Sequence, residues 1–207
     1  PVSGDRATLT NLPWEIDCRS LEKRFGFQRA VLINDLTAVC SSLALLDPAD
    51  LYEIQKGSGQ GGEVRGVLAP GTGLGEGLLV EFAGKSFVRG SEGGHTDFGP
   101  VDAEQLALLA WMQKKSKPVS YEMLIAGPGL ANLYDFCREF HQIQESTWIV
   151  EAMSKATDRI PVIVAGATGT IGDTSCPLCR HVIELFLSIL GSEAGNLALK
   201  LYARGGI

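Results

Sequence analysis

Apolar positions fall in short, strand-length runs over the first third of the chain and at three- and four-residue steps from Asp102 onward. The pattern therefore predicts sheet segments early and helices late, in a mixed α/β arrangement. Arg6 to Leu9 reads as a short strand. Asp17 is placed to cap a helix running to Phe25, with Gly26 in the terminating position. Ala30-Val31-Leu32-Ile33 is a compact run of strand type that ends on the polar pair Asn34-Asp35. Leu36 to Leu46 then reads as a helix closed by Asp47-Pro48. Gly57-Ser58-Gly59-Gln60-Gly61-Gly62 is a flexible loop, and Pro48 to Gly62 is where a domain transition or a long surface excursion is expected.

Beyond that loop, Gly66 to Ala69 forms a strand leading into Gly71-Thr72-Gly73-Leu74-Gly75. Gly77 to Phe82 follows, with a turn at Gly84-Lys85 and a partner strand from Ser86 to Arg89. Leu130, Leu133, Phe136, Cys137 and Phe140 mark one helical stripe with Pro128 in its first turn. Val182, Leu185, Phe186, Ile189, Leu190 and Leu197 mark a long second one. Val162-Ile163-Val164-Ala165, with Gly166 to Gly172 after it, imitates a strand and a dinucleotide-binding turn. That motif needs a helix opening at its last glycine and a further strand with an acidic end, whereas Asp173 to Pro177 interrupts here.

Composition narrows the function classes. The 207 residues are 45% apolar and 20% charged, enough to bury a real core. The net charge of −6, with both signs mixed along the chain, argues against a nucleic-acid partner. There is no charge-free apolar run of about 18 residues and no basic-then-apolar leader pattern, so the reading is cytoplasmic with no membrane partner. Among the five cysteines, Cys18, Cys40 and Cys137 sit in apolar surroundings and read as buried thiols. Cys176-x-x-Cys179 lacks two further ligands at local spacing for zinc and reads as a pair opening a helix.

Four clusters carry chemistry. Asp35 follows a predicted strand and precedes a helix, which either aims a carboxylate into a cleft or caps that helix. The glycines of Gly71 to Gly75 let the backbone approach an anion, with Thr72 adding a hydroxyl; a tight hairpin would use the same residues. Glu92-Gly93-Gly94-His95 sets a carboxylate and an imidazole to face one small polar ligand. As a metal site it is thin, since His141 and His181 are the only other histidines. Glu122, in Ser120-Tyr121-Glu122-Met123, is either a further ligand contact or a solvated helix residue.

Five segments, taken in order, resemble the bacterial glucokinases. They are Leu32 to Ala38, Gly71 to Gly75, Glu92-Gly93-Gly94-His95-Thr96-Asp97-Phe98, Ala126-Gly127-Pro128-Gly129-Leu130 and Gly195-Asn196-Leu197-Ala198-Leu199. That family belongs to the hexokinase–actin superfamily, in which two ribonuclease-H-like domains, of the actin-like ATPase fold, close over sugar and ATP. The resemblance implies a sugar kinase that phosphorylates the 6-hydroxyl of glucose with ATP and Mg²⁺, the first step of glycolysis, as a homodimer. It implies Asp35 as general base, and Asn34, Asp35, Glu92, His95 and Glu122 as sugar contacts. Gly71, Thr72, Gly73, Leu74 and Gly75 become the second phosphate loop, with Thr72 and Gly73 nearest the transferred group. Residues 1–45 would be the remainder of a small α/β domain and 46–207 most of a large one.

The sequence departs from the family in lacking its first phosphate loop, for which Gly4-Asp5 is no substitute, and its adenosine-binding glycine motif. The chain is accordingly expected to be an internal stretch, inactive by itself. The cysteine-rich zinc motif of the other bacterial sugar-kinase family is also absent. The rival reading is a sugar-binding module or regulator without catalysis, against which the retained Asp35 argues. A glycosidase using Asp35 and Glu92 as its carboxylate pair leaves the phosphate loop without a purpose.

Overall fold

The protein is described here from a computed structural model, which covers residues 2–8, 12–57, 62–170 and 175–207. Its first sheet is antiparallel, in the order β1 (Val2–Ser3), β2 (Arg6–Thr8), β3 (Glu15–Asp17). Leu9, the expected end of the second strand, lies outside the described residues. Asp17 then caps α1 (Cys18–Phe25), its carboxylate accepting from Ser20 N at 2.9 Å, and Gly26 stops the helix at φ 69°. Both ends lie where the sequence put them, because capping chemistry is local.

The run Ala30 to Ile33 does not form the expected strand. Its residues join no ladder among the described residues, and Val31 and Ile33 are 64% and 52% exposed. Apolar character alone gives a strand nothing to pair with, and the Ala30 amide donates instead to Glu22 Oε1 at 2.8 Å. α2 (Asp35–Ser42) follows and is shorter than the sequence suggested. Its end leads into turns, after which Asp47 caps a single 3₁₀ turn at Pro48–Asp50. Within the predicted glycine loop, residues 58–61 lie outside the described set.

The second sheet is an antiparallel meander of β4 (Val64–Pro70), β5 (Leu74–Phe82) and β6 (Lys85–Ser91). Phe82 pairs with Lys85, so the hairpin turn is Ala83-Gly84, one residue earlier than predicted. Both turn residues have positive φ, 51° and 71°, matching the twist of a two-residue hairpin. Helix α2 seats on β5 and β6 through Leu36 and Cys40. A Cβ at Gly75 would lie 3.0 Å from Leu36 Cδ1, and one at Gly77 would lie 2.6 Å from Cys40 Sγ. Gly75, in the Gly-rich stretch, and Gly77, just beyond it, thus serve to let a helix down onto the sheet.

The helical half comprises α3 (Ala103–Met112), α4 (Glu122–Ile125), α5 (Gly127–His141), α6 (Thr147–Lys155), α7 (Ile160–Thr168) and α8 (Pro177–Leu201). Leu133, Phe136 and Cys137 of α5 and Val182 and Ile189 of α8 are fully or almost fully buried in one core cluster. Each large apolar side chain so placed contributes about 1.5–3 kcal/mol. Phe140, at the end of the predicted stripe, is half exposed and stacks on Phe136.

Val162 to Ala165 is helical, inside α7, and not the strand its β-branched run imitates. Pro161 at the first turn and Gly169 at φ 73° frame the helix. Gly166 lets it close on α8, since a Cβ there would lie 2.9 Å from Cys179 Sγ. Ile171, Gly172 and Asp173 lie outside the described residues. Cys176 caps α8, accepting from Cys179 N at 3.4 Å, and burial pushes the Cys179 thiol well above its ordinary range. All five cysteines are free and buried. Although α8 is long and apolar enough to cross a membrane, it packs against α4, α5, α7 and β4.

Candidate active site

The loop that joins β4 to β5, the start of α2 and the end of β6 open onto one cleft of about 1060 Å³. Asn34, Asp35, Gly71, Thr72, Gly73, Leu74, Gly75, Glu92, His95 and Glu122 all line it. Every candidate residue named from the sequence therefore meets the others in one place.

Division of labour at the start of α2 settles which of two polar residues is the cap. Asn34 Oδ1 accepts from Leu36 N at 2.9 Å and Thr37 N at 3.3 Å. Asp35 is the first helical residue and, among the described residues, its carboxylate accepts only from its neighbour, Leu36 N, at 2.9 Å. Because Asn34 does the capping, the exposed Asp35 carboxylate keeps a free oxygen toward the cleft.

The Gly71 to Gly75 loop is a tight hairpin and also a source of backbone donors. Gly71 N donates to Gly73 O at 2.8 Å, Gly127 N donates to Gly71 O at 2.7 Å, and Leu74 N donates to Glu122 Oε2 at 2.9 Å. The loop is thereby pinned to the start of α5 and to α4. Among the described residues, the amides of Thr72 and Gly73 donate to nothing. Two adjacent free N–H groups in a fixed loop at a cleft suit an anion. A side chain at Gly73 would also press on Glu122, since a Cβ there would lie 2.7 Å from Glu122 Oε2.

His95 stands between two carboxylates. Its Nε2 is 3.7 Å from Glu92 Oε2 and its Nδ1 is 3.6 Å from Glu122 Oε1. Neither distance is a direct hydrogen bond, so all three groups remain available to ligand hydroxyls. The glycines of Glu92-Gly93-Gly94-His95 have steric causes. A Cβ on Gly93 would collide with Glu76 Oε2, and one on Gly94 with the Leu74 carbonyl.

Beneath the cleft lies a polar network that the sequence reading missed. Glu193 on α8 is fully buried, accepting from Lys200 Nζ at 3.0 Å and Asn196 Nδ2 at 2.9 Å. Asn196 also donates to Tyr121 Oη at 3.1 Å, which fixes the residue next to Glu122. The spacing held the signal: Glu193 falls on the i, i+4 row between Ile189 and Leu197, where an apolar residue is expected. Arg89 and Ser91, on β6, also line the cleft without having been singled out.

Glu76, on β5, is 2% exposed and its Oε1 has no hydrogen-bond partner among the described residues. Burial, and then the Glu193 charge, raise its carboxyl above the ordinary value, against the pull of Lys200. A raised carboxyl binds its proton more tightly folded than unfolded, so stability falls as pH climbs above the usual carboxyl range of about 4.3. Glu76→Gln is therefore expected to melt higher than the parent at about pH 8, with the advantage shrinking toward about pH 5. Thermal melts at the two pH values check this; a constant offset between the proteins removes Glu76 from the pH dependence.

Comparison with known proteins is consistent across sequence and structure. A sequence model described as Glucokinase matches residues 1–207. The chain is 33% identical over 207 residues to the glucokinase of Colwellia psychrerythraea, covering 100% of this chain and 60% of that one. The crystal structure of a glucokinase from an Antarctic psychrotroph superposes with a TM-score of 0.81 at 31% identity, over 100% of this chain and 60% of the other. The Balamuthia mandrillaris glucokinase, crystallised in complex with glucose, gives 0.61 at 27% identity over 84% and 49% of the two chains. The chain thus spans about 60% of the length of the bacterial relative it matches.

Proposed function

The chain belongs to the glucokinase family, and we propose on that premise that its protein transfers the terminal phosphoryl group of ATP to the 6-hydroxyl of glucose. The observation that carries the reading is the cleft, which sets a free carboxylate, a cluster of hydroxyl-reading groups and two free backbone amides around one space. Asp35 accepts the proton of the attacking hydroxyl. Asn34, Glu92, His95 and Glu122 bond the remaining hydroxyls and hold the sugar in register. The amides of Thr72 and Gly73 meet the phosphate oxygens. Phosphoryl transfer depends on alignment and charge stabilisation, which this set supplies.

Mg²⁺ belongs to the same proposal. The oxygens of Asp35, the Thr72 hydroxyl and the loop carbonyls are hard donors that would hold it, and it would supply positive charge to offset that of the phosphoryl oxygens. The ribonuclease-H-like, actin-like architecture, with a boundary near residue 45 and the cleft between two units, is the fold that the reading favours. Entry into glycolysis, a cytoplasmic location and a homodimer rest on family membership alone.

A coupled assay of the whole protein tests the proposal. ADP release should require both glucose and Mg²⁺ and yield a sugar phosphorylated at the 6-hydroxyl. Sugar binding without ADP release would instead make the protein a non-catalytic sugar sensor.

A further inference from the structure

At the other end of α5 from the cleft, two of the three histidines in the chain converge on one carboxylate. Gly127, beside the phosphate loop, and His141 are separated by roughly 21 Å of helix, at 1.5 Å per residue. His141 Nε2 and His181 Nε2 lie 2.6 Å and 2.7 Å from the same oxygen, Glu104 Oε1, and 3.1 Å from each other. Their rings stand at 84°, so that both nitrogens aim at one region. The buried thiol of Cys137 stands beside two of these groups: ligand atoms of Cys137, Glu104 and His181 all lie within 4.8 Å of one another. Cys137 and His141 share one face of α5, four residues apart.

We propose that Glu104, Cys137, His141 and His181 form a tetrahedral site for a divalent transition-metal ion, zinc above others, joining α3, α5 and α8. The proposal does not rest on the sugar-kinase reading. Zinc bond lengths place neighbouring ligand atoms about 3.3–3.6 Å apart, so the histidine pair is already close to the required separation. The carboxylate contacts need to open by less than about 1 Å, and the Cys137 sulfur, within 4.8 Å of the Glu104 and His181 ligand atoms, has to move inward. Two ring nitrogens crowd a single oxygen while facing each other, whereas a cation gives all their lone pairs one target. Two imidazoles, a carboxylate and a thiolate are a set that zinc accepts, and four protein ligands make a closed, structural site. On binding, the S–H bond of Cys137 breaks, the sulfur–metal bond forms and the proton leaves to solvent.

The sequence reading weighed His141 and His181 only as possible partners for His95. Their ligand partners are scattered from residue 104 to residue 181, which matches no local zinc spacing, and the helix packing brings them together.

Cobalt is the probe. The whole protein, stripped with a chelator, is titrated with Co²⁺, whose tetrahedral thiolate complexes show d–d bands and a sulfur-to-cobalt charge-transfer band. One Co²⁺ per chain is expected, displaceable by Zn²⁺. Cys137→Ser should lose the charge-transfer band, whereas Cys176→Ser with Cys179→Ser should retain it. His141→Ala with His181→Ala should weaken binding by more than the about 10–100-fold typical of an outer-shell loss. Saturating Zn²⁺ should raise the Tm of the parent but not of the double-histidine variant. Circular dichroism confirms that each variant is folded. Failure of the parent to bind one equivalent, or a charge-transfer band that survives Cys137→Ser, overturns the site.

Discussion

Asp35→Asn is expected to lower kcat by about 10² or more while leaving the KM for glucose within about threefold, as loss of a general base does. The substitution is clean for structural reasons. Asn34, and not Asp35, caps α2, so the helix keeps its N-terminal hydrogen bonds. The hydrogen bond Asp35 accepts among the described residues, from Leu36 N at 2.9 Å, is available equally to an asparagine oxygen. What changes is the ability to take a proton. Steady-state kinetics of the whole protein, with thermal melts to show unchanged stability, separate chemistry from folding. A variant with near-normal kcat would remove Asp35 from the catalytic role.

How the candidate residues were legible from sequence follows from where they sit. Asn34-Asp35, the Gly-rich loop and Glu92 to His95 occupy turns and element ends, where local rules of capping and backbone freedom apply without knowledge of the rest of the fold. The glycines were legible as glycines but not for their full reasons. Gly73 makes room for Glu122, Gly75 and Gly77 for α2, and Gly93 and Gly94 for Glu76 and Leu74. Each reason is a contact between distant segments.

One local pattern had two tertiary outcomes, and the strand expected at Ala30 to Ile33 was the error, whereas the run at Val162 to Ala165 was read as only imitating a strand. Ala30 to Ile33 and Val162 to Ala165 are both β-branched apolar runs. The first finds no ladder among the described residues, and the second is framed by Pro161 and Gly169 and buried against α8 as a helix. Glu193 was hidden because a lone acidic residue in an apolar helix reads as surface until Lys200 and Asn196 are seen to satisfy it. The Glu104, Cys137, His141 and His181 cluster was hidden in the same way, by helix packing that no spacing in the chain announces.

Glu122 is expected to separate two functions that most residues in the cleft do not combine. Its Oε2 holds the Gly71 to Gly75 loop, the proposed phosphate loop, through Leu74 N at 2.9 Å, while its Oε1 sits 3.6 Å from His95 Nδ1, on the side proposed to read the sugar. A hydrogen bond to a charged group contributes about 1.5–3 kcal/mol. Glu122→Ala removes both contacts and should lower kcat/KM for glucose by about 30–1000-fold, with KM raised and kcat reduced together. Glu122→Gln keeps an oxygen that Leu74 N can donate to, but loses the charge that sugar hydroxyls bond. It should raise KM by about tenfold and leave kcat within about threefold. The contrast between the variants is the test, because poor folding of Glu122→Ala alone would lower every parameter. Glucose titration calorimetry beside the kinetics assigns the loss to binding or to turnover. If Glu122→Ala keeps the parental KM, Glu122 is an anchor for the loop and not a sugar contact. If its kcat is untouched while KM rises, the loop keeps its shape through Gly71 and Gly127, and the anchoring role is wrong.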